Sequence, residues 1–283
     1  MAQRTWTTER QRRLGAELRK VRTAAGVSPE HIAGLLGVDR GKISNFESGL
    51  RPISPERVRT WVCNCDCSDD RYANALVDMA RPQARGWWEK YRGRLPAGLL
   101  DIAELEANSV RMRVSQSVHI PGLLQTRDHA RSLFEVVLPR LPSQDTELRM
   151  ALRMERQRIL MTDPAPELVA IIHEAALRMR FGGRKVARAQ LEHVLSMAER
   201  PNITVLALPV EAGAFPGAGQ AIFYAEAGAP QLDTVQLDSS HGPEFLHGAA
   251  QLAKYRAHLD WMEKLSLNPR DSRDFIRDIA HRL

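Results

Sequence analysis

Three cysteines lie within five residues of this 283-residue chain, at Cys63, Cys65 and Cys67. Clustered thiolates could bind zinc or another soft metal, or respond to oxidants. On a continuous helix, however, this spacing places Cys63 and Cys67 on one face and turns Cys65 about 200° away from Cys63. One metal ion could then take all three only if the helix has ended by Cys65. Free cysteine also packs as a small buried hydrophobic residue, and we favour that role over a metal or redox sensor.

Other residue types with catalytic chemistry do not complete a working arrangement. His173-Glu174 begins the H-E-x-x-H zinc motif, but Leu177 stands where the second histidine is required. Residues 238–241, Asp-Ser-Ser-His, are of the types found in a Ser-His-Asp catalytic triad. Because a triad is assembled from segments that are separated in the sequence, a polar turn explains these consecutive residues better. The loop at 213–219, GAFPGAG, lacks the Lys-Ser/Thr of a phosphate-binding loop. We therefore expect no enzyme, no metal and no cofactor, with an enzymatic C-terminal domain as the weaker alternative.

A further group of side chains could bind an anion. Arg153, Arg156 and Gln157 lie at i, i+3 and i+4 of a predicted helix and so share one face. Two guanidinium groups could hold a carboxylate or a phosphate. Salt bridges to Glu104 or Glu106 would explain the arginines equally well. The candidate ligand or partner site consists of Gln125, Arg153, Arg156 and Gln157.

The positive charge that could meet a polyanion is confined to the start of the chain. Residues 1–60 carry twelve Lys/Arg and six Asp/Glu, whereas residues 61–283 carry twenty-eight of each, so the whole net charge of +6 lies in the first part. Such a basic segment is expected of a nucleic-acid-binding module, although a solvated helical face would also be basic.

The bulk composition is that of a globular protein with a real core, 43% hydrophobic and 26% charged. No apolar run approaches the roughly 20 residues that a membrane helix needs, and the N-terminus lacks the apolar segment of a secretory signal. An odd number of cysteines argues against a disulfide framework. We expect a cytoplasmic protein without a membrane association.

Helix signals dominate the first eighty residues. Leu14, Leu18 and Val21 give helical periodicity within 8–25. Three further helices begin at N-caps, at Ser28-Pro29, Asp39 (for 40–48) and Ser54-Pro55 (for 56–65), and a fifth covers 69–80. A helix, a short turn at Gly37-Val38 and a second helix form the helix-turn-helix motif, whose second helix enters the major groove.

The segment VSPEHIAGLLGVDRGKISNFESGLRPIS, residues 27–54, resembles the five-helix DNA-binding domain of XRE/Cro-type regulators. The matching features are Ala33, the Gly37-Val38 turn, Ile43, the ending Phe46-Glu47-Ser48-Gly49, and Arg51-Pro52. The resemblance implies an operator in double-stranded DNA, bound by a homodimer. It also implies DNA contacts from Arg40, Gly41, Lys42, Ser44 and Asn45.

The chemistry of these side chains agrees with that assignment. Arg40 can donate two hydrogen bonds to guanine and Asn45 can pair with adenine, each worth about 1–3 kcal/mol of discrimination. Lys42 contacts either bases or phosphates, and Ser28 and Arg51 suit phosphates. Gly41 departs from the family, which usually has a side chain there, and it costs roughly 1 kcal/mol of helix stability relative to alanine. Ile43 and Phe46 are expected in the core.

The rest of the chain alternates helices and strands, which predicts an α/β domain with a mixed sheet. Helical patterns cover 99–113, 123–138, 144–161, 186–200, 255–267 and 271–283, strand patterns cover 115–120, 202–210, 220–227 and 233–238, and 167–183 gives a strand followed by a helix. The predicted domains are 1–80 for DNA binding, 81–98 as a linker and 99–283 for regulation. Trp87, Trp88 and Tyr91 of the linker could stack on bases, but we favour docking onto the next domain.

This C-terminal region also resembles a known family. The segments LEANSVRMRVSQSVHIPGLLQT, ALRMERQRIL, IIHEAALR, QLEHVLSMAERPNITVLALP and GAFPGAGQAIF occur in order. They are similar to the domain of unknown function that follows the XRE-type domain in WhiJ-like actinobacterial regulators. The resemblance implies a transcription factor whose larger domain senses a ligand or docks a partner, commonly a small protein encoded nearby. A regulator that responds to metal or redox state through the cysteines is the alternative.

Overall fold

The computed structural model describes residues 7–81, 86–217, 219–239 and 241–283, and its chain divides into two compact units. The first unit comprises the described residues up to Lys90 together with 97–105 and 228–232, and the second comprises 91–96, 106–227 and 233–283. The domain limits proposed from the sequence, 1–80, 81–98 and 99–283, stay predictions. Part of the linker, residues 82–85, lies outside the described residues.

The first unit begins with the five predicted helices. They are α1 (Glu9–Ala24), α2 (Pro29–Leu36), α3 (Arg40–Glu47), α4 (Pro55–Cys63) and α5 (Asp70–Ala80). Each begins directly after a residue whose side-chain oxygen accepts a hydrogen bond from a backbone N–H of the first turn, as an N-cap does. These caps are Thr8, Ser28, Asp39, Ser54 and Asp69. The helical fold of this region, predicted from the sequence, is confirmed.

A close crossing of α1 and α3 holds this unit together. A Cβ atom built on Gly15 would lie 2.4 Å from the carbonyl oxygen of Phe46 and 2.6 Å from that of Glu47. Only glycine allows the backbones to approach so closely. Around the crossing, Leu18, Ile43 and Phe46 are buried, as the helical periodicity predicts.

The second unit is built on a mixed sheet, whose six described strands have the order β3-β2-β1-β4-β5-β6. The strands are β1 (Arg111–Gln116), β2 (Glu167–His173), β3 (Ile203–Leu208), β4 (Ile222–Glu226), β5 (Thr234–Ser239) and β6 (Gly242–Leu246). The helices are α6 (Ala97–Ala107), whose first part belongs to the first unit, then α7 (Arg127–Glu135), α8 (Ser143–Arg156), α9 (Glu174–Arg178), α10 (Arg184–Met197), α11 (Ala249–Leu265) and α12 (Pro269–Arg282). The predicted α/β class with a mixed sheet is confirmed.

Side chains alternate between two cores on the faces of this sheet. Strands β1, β2 and β3 pair in parallel, whereas β4, β5 and β6 continue from β1 in antiparallel pairs. Met112 and Leu168 share one core with α10 and α12, and Tyr224 and Val235 share the other with α11. Period-2 alternation of this kind is what a sheet covered on both faces requires.

Two features of the sheet differ from the prediction. The helix expected through residue 113 ends at Ala107, and the strand expected at 115–120 instead begins at Arg111. The segment RMRV lacks a strand-like composition, but its central position gives it hydrogen-bonded neighbours on both sides, which override local propensity. Strand β6 was not predicted, because Gly242 and Pro243 read as a turn, and proline is tolerated there since β6 is an edge strand.

Candidate functional site

Helix α3 occupies the place of a recognition helix and is fixed at both ends. At its start, the Asp39 carboxylate accepts a hydrogen bond from the Lys42 backbone N–H at 2.9 Å. At its end, Glu47 receives two hydrogen bonds from the Arg22 guanidinium of α1, whose Nη1 also donates to the Val27 carbonyl at 2.9 Å. This partly buried ion pair ties α3 to α1 and to the turn before α2. This ion pair was not predicted from the sequence, because its partners are 25 residues apart.

The cationic side chains of α3 face solvent. The Nε atom of Arg40 lies 2.9 Å from Oε1 of Glu30, and Nζ of Lys42 lies 3.3 Å from Oδ2 of Asp39. All four side chains are at least 45% exposed, so water screens both ion pairs and weakens them. Both cations are therefore free to exchange their carboxylates for the edges of bases or for phosphates.

The remaining predicted contacts on α3 are placed as follows. Ser44 is exposed, whereas Asn45 is half-buried, and its carbonyl accepts from the Arg51 backbone N–H at 3.2 Å. Gly41 is exposed, and a Cβ atom there would lie 3.2 Å from the capping oxygen of Asp39. Glycine at this position thus leaves the helix cap uncrowded. The exposed Ser28 caps α2 by accepting from the His31 backbone N–H at 3.1 Å.

A cationic pocket of about 390 Å³ lies beside α3. Lys42, Arg51 and Arg57 line it together with Phe46, Leu50 and Pro52. Within the described ranges, neither Arg51 nor Arg57 forms an ion pair with a carboxylate, so their charge is available to an external anion. Arg57 was not among the DNA contacts predicted from the sequence, although its position in the first turn of α4, the helix that follows α3, could have indicated it.

The three cysteines are free thiols in different environments. Cys63 is exposed, Cys65 is buried and Cys67 is half-buried. Helix α4 ends at Cys63, so the prediction that the helix continues through Cys65 was wrong. The chain leaves the helix at Asn64 and enters a left-handed conformation at Asp66 (φ 47°). Burial raises the pKa of the Cys65 thiol, which makes it less reactive than an ordinary cysteine.

In the second unit, three of the four residues of the candidate ligand site bond to one another. Nη1 of Arg153 donates to Oε1 of Gln125 at 2.5 Å. Nε2 of Gln157 donates to the carbonyl of Gln125 at 2.7 Å and to that of Gly122 at 3.1 Å. Nε2 of Gln125 in turn donates to the Ile120 carbonyl at 2.7 Å. The structure thus brings together residues that are 28 or more positions apart in the sequence.

The fourth residue, Arg156, forms a buried ion pair. Its Nε atom donates to Oε2 of Glu106 at 2.8 Å, and its Nη2 atom donates to the other carboxylate oxygen. Of the two acidic partners that the sequence leaves open, Glu106 is therefore the one that pairs with Arg156. The charge of Glu104 acts instead on Arg10 of the first unit.

The residues that resemble catalytic motifs have structural roles. His173 accepts from the Ala175 backbone N–H at 3.1 Å and caps α9. Glu174 pairs with Arg178 at 2.6 Å and also accepts from the Val210 backbone N–H. Asp238 and Ser239 end β5, and Ser239 pairs with Gly242 at the start of β6. Ser240 lies outside the described residues.

No group of three or more His, Cys, Asp or Glu side chains in the described part of the chain could hold a metal ion. No helix in the same ranges is long and apolar enough to cross a membrane.

Comparison with known families identifies both regions. The family described as a helix-turn-helix domain matches residues 13–72, which include α2 and α3. The family described as a domain of unknown function, DUF5753, matches residues 99–278. The N-terminal match places this region in a class of domains that bind DNA. No curated protein and no solved structure matches the chain.

Proposed function

We propose that this chain, which belongs to the family defined by DUF5753, is a sequence-specific transcriptional regulator whose helix-turn-helix domain binds an operator in double-stranded DNA. In this proposal the C-terminal domain regulates DNA binding by sensing a ligand or by docking a partner protein. The protein acts in the cytoplasm as a binding protein and not as an enzyme.

The observation that carries the proposal is the set of exposed polar side chains on α3. Arg40, Lys42 and Ser44 are exposed on a helix whose opposite side buries Ile43 and Phe46. A helix of this kind fits the major groove, where an arginine reads guanine through two hydrogen bonds. The N-cap at Asp39 and the Arg22–Glu47 ion pair hold α3 in place, so little order has to be gained on binding.

The cationic pocket supplies the contacts that position the protein on the DNA. Arg51 and Arg57 are exposed and lie with Lys42 around one cavity. Phosphate contacts of this type fix the register of a protein on the duplex and provide affinity that depends on salt, whereas contacts with base edges provide specificity. We assign Arg51 and Arg57 to phosphates, and Arg40 and Asn45 to bases.

The proposed subfamily of this regulator rests on two resemblances. Residues 27–54 resemble XRE/Cro-type domains, and the C-terminal region resembles WhiJ-like actinobacterial regulators. Helix-turn-helix proteins usually bind as dimers to two half-sites about one helical turn apart. We therefore propose a homodimer on a two-fold symmetric operator. A small protein encoded nearby is the proposed partner.

Selection of bound sequences from a random duplex library, followed by titration of the selected site, tests the function. We expect one enriched sequence with two half-sites, bound about 10³-fold or more tightly than random DNA at the same salt concentration. Sedimentation of the free protein and of the complex measures the number of chains on the site. Equal affinity for selected and random duplexes would contradict sequence-specific regulation.

A further inference from the structure

The histidine at position 129 is buried without hydrogen-bond partners for its side chain. Its exposure is 2%, and neither Nδ1 nor Nε2 has a partner among the described residues. An unpaired polar atom in a protein interior is destabilising, so native structures usually satisfy such atoms with protein groups, water or a ligand. Because the Thr126 hydroxyl accepts from the His129 backbone N–H, the residue is anchored at the first turn of α7. Its imidazole therefore stays available to an additional group.

Phe181 contacts this imidazole, and the charge of Arg153 acts on it. The ring of Phe181 lies edge-on to the His129 ring, with 5.6 Å between the ring centres. The centre of the same phenylalanine ring lies 5.2 Å from that of the His119 ring. The guanidinium of Arg153 lies 5.3 Å from the centre of the Phe134 ring. Burial, together with the positive charges of His119 and Arg153, lowers the pKa of His129 to about 4. The imidazole is therefore neutral near pH 7 and offers one donor and one acceptor.

The charge of Arg153 is not neutralised by a hydrogen-bonded carboxylate within the described part of the chain. Its recorded hydrogen bond goes to the neutral amide oxygen of Gln125, while Glu106 is engaged by Arg156. Asp238 acts on Arg153 electrostatically, but this carboxylate is exposed and accepts from Gln236. Burial and the neighbouring Arg156 lower the pKa of Arg153 to about 10, so it still carries its charge near pH 7. A charge held in this way favours an anionic partner.

The segment that carries Gln125 is held rigidly by glutamine side chains from two further elements. Gln190 of α10 donates to the Leu124 carbonyl at 2.7 Å and accepts from the Thr126 backbone N–H at 2.7 Å. Gln157 holds the carbonyls of Gly122 and Gln125 from the other side. A site whose groups are fixed before binding loses less entropy when the ligand arrives.

We propose that His129, Arg153 and Gln125, with the rings of Phe134 and Phe181, form a binding site for a small aromatic carboxylate. The carboxylate pairs with the Arg153 guanidinium, and the His129 imidazole meets a hydroxyl or carboxylate oxygen of the ligand. The aromatic body packs against the phenylalanine rings. A monoanion fits better than a dianionic phosphate, because Arg156 is already paired with Glu106 and the negative charge of Asp238 also acts on Arg153.

This inference deepens the proposed ligand sensing and rests on it for its biological role, but binding itself can be measured without DNA. The probe is salicylate, whose carboxylate and hydroxyl match the cation and the imidazole, and the control is neutral benzamide. Calorimetry on the full chain near pH 7 gives affinities, and imidazole ¹⁵N resonances report on His129. We expect saturable salicylate binding that shifts the His129 resonances, with benzamide binding at least about tenfold more weakly.

Matched variants assign the contacts. Arg153→Gln should weaken salicylate binding by about tenfold or more, because a charge-assisted hydrogen bond is lost. The control is Arg158→Gln, which should leave binding unchanged, because the Arg158 side chain is 81% exposed. If Arg153→Gln does not fold, the comparison of salicylate with benzamide on the unaltered protein still decides. No saturable salicylate binding up to about 10 mM, equal binding of benzamide, or unshifted His129 resonances would each overturn the site. Such a result would leave the proposed operator binding intact, because that is measured in the absence of salicylate.

Discussion

The Arg40 guanidinium at the start of α3, the proposed recognition helix, lies 2.9 Å from the Glu30 carboxylate in the first turn of α2. Their side chains are 72% and 54% exposed, so this ion pair contributes about 1 kcal/mol at most. Glu30 therefore orients the arginine in the free protein without holding it strongly. A guanine edge that offers two acceptors competes with a single exposed carboxylate oxygen.

We predict that Arg40→Ala lowers affinity for the selected operator by about 1–3 kcal/mol, while affinity for random DNA changes little. The reason is that a base contact carries sequence information, whereas a phosphate contact does not. Mobility-shift titrations on both duplexes at fixed salt measure the two affinities. Asn45→Ala should likewise lower affinity for the operator and change affinity for random DNA little. Equal losses on both duplexes would refute base reading by Arg40. Glu30→Gln is the matched control and should leave operator preference intact.

We predict that Arg51→Ala and Arg57→Ala weaken binding to operator and random DNA alike. Each removes a pocket cation assigned to a phosphate, so the slope of log K against log salt should fall by about 0.9 for each variant. Titrations at several salt concentrations give these slopes. Arg188→Ala, on an exposed position of α10, should keep the original slope. An unchanged slope in Arg57→Ala would exclude this residue from the phosphate contacts.

We predict that Gly15→Ala destabilises the first unit by about 1–3 kcal/mol, because the added methyl group would overlap the carbonyls of Phe46 and Glu47. Gly34→Ala is the matched control, since no atom lies within 4 Å of its added Cβ. That change should be neutral or stabilise α2 by up to about 1 kcal/mol. Urea denaturation with far-ultraviolet dichroism compares the three proteins. Equal stability of the two variants would show that the α1–α3 crossing relaxes easily.

We predict that Glu106→Gln lowers the free energy of unfolding by about 3 kcal/mol or more. Glu106 is 2% exposed and receives two hydrogen bonds from Arg156, so its neutralisation leaves a buried guanidinium uncompensated. Glu192→Gln removes a partner from the exposed Arg188–Glu192 pair and should cost less than about 1 kcal/mol. Denaturant midpoints of the second unit provide the comparison, and similar losses in both variants would contradict this account.

We predict that the free energy of unfolding decreases as the pH is lowered from about 6.5 to about 4, because of His129. In this window the unfolded histidine binds a proton near its ordinary pKa, whereas the folded one, with a pKa of about 4, does not. Acidification therefore favours the unfolded state by up to about 3 kcal/mol. Denaturation at pH 7 and at pH 4.5 should show a smaller acid loss in His129→Gln than in the unaltered protein. His281→Gln, at the exposed end of α12, should retain the full loss.

The structure of the helix-turn-helix region was largely predictable from the sequence, because the residues that define its helices act on their near neighbours. N-caps at Ser28, Asp39 and Ser54 act on backbone groups within three residues, so α2, α3 and α4 begin where the sequence places them. Helical periodicity likewise identified Ile43 and Phe46 as core residues. Helix α4 was predicted too long, because its end is set by the turn through Asp66, which no local signal announces.

The sequence by itself determined the helix-turn-helix, the basic surface and the α/β class, since these follow from neighbouring residues and composition. Only the tertiary structure decided which strand is central, that Arg156 pairs with Glu106, and that Arg57 joins Arg51 and Lys42 around one pocket. It also placed Arg153 against Gln125 and left the nitrogens of His129 without described partners. These relationships join residues far apart in the chain, and their energies depend on packing, burial and charge that arise only when distant segments meet.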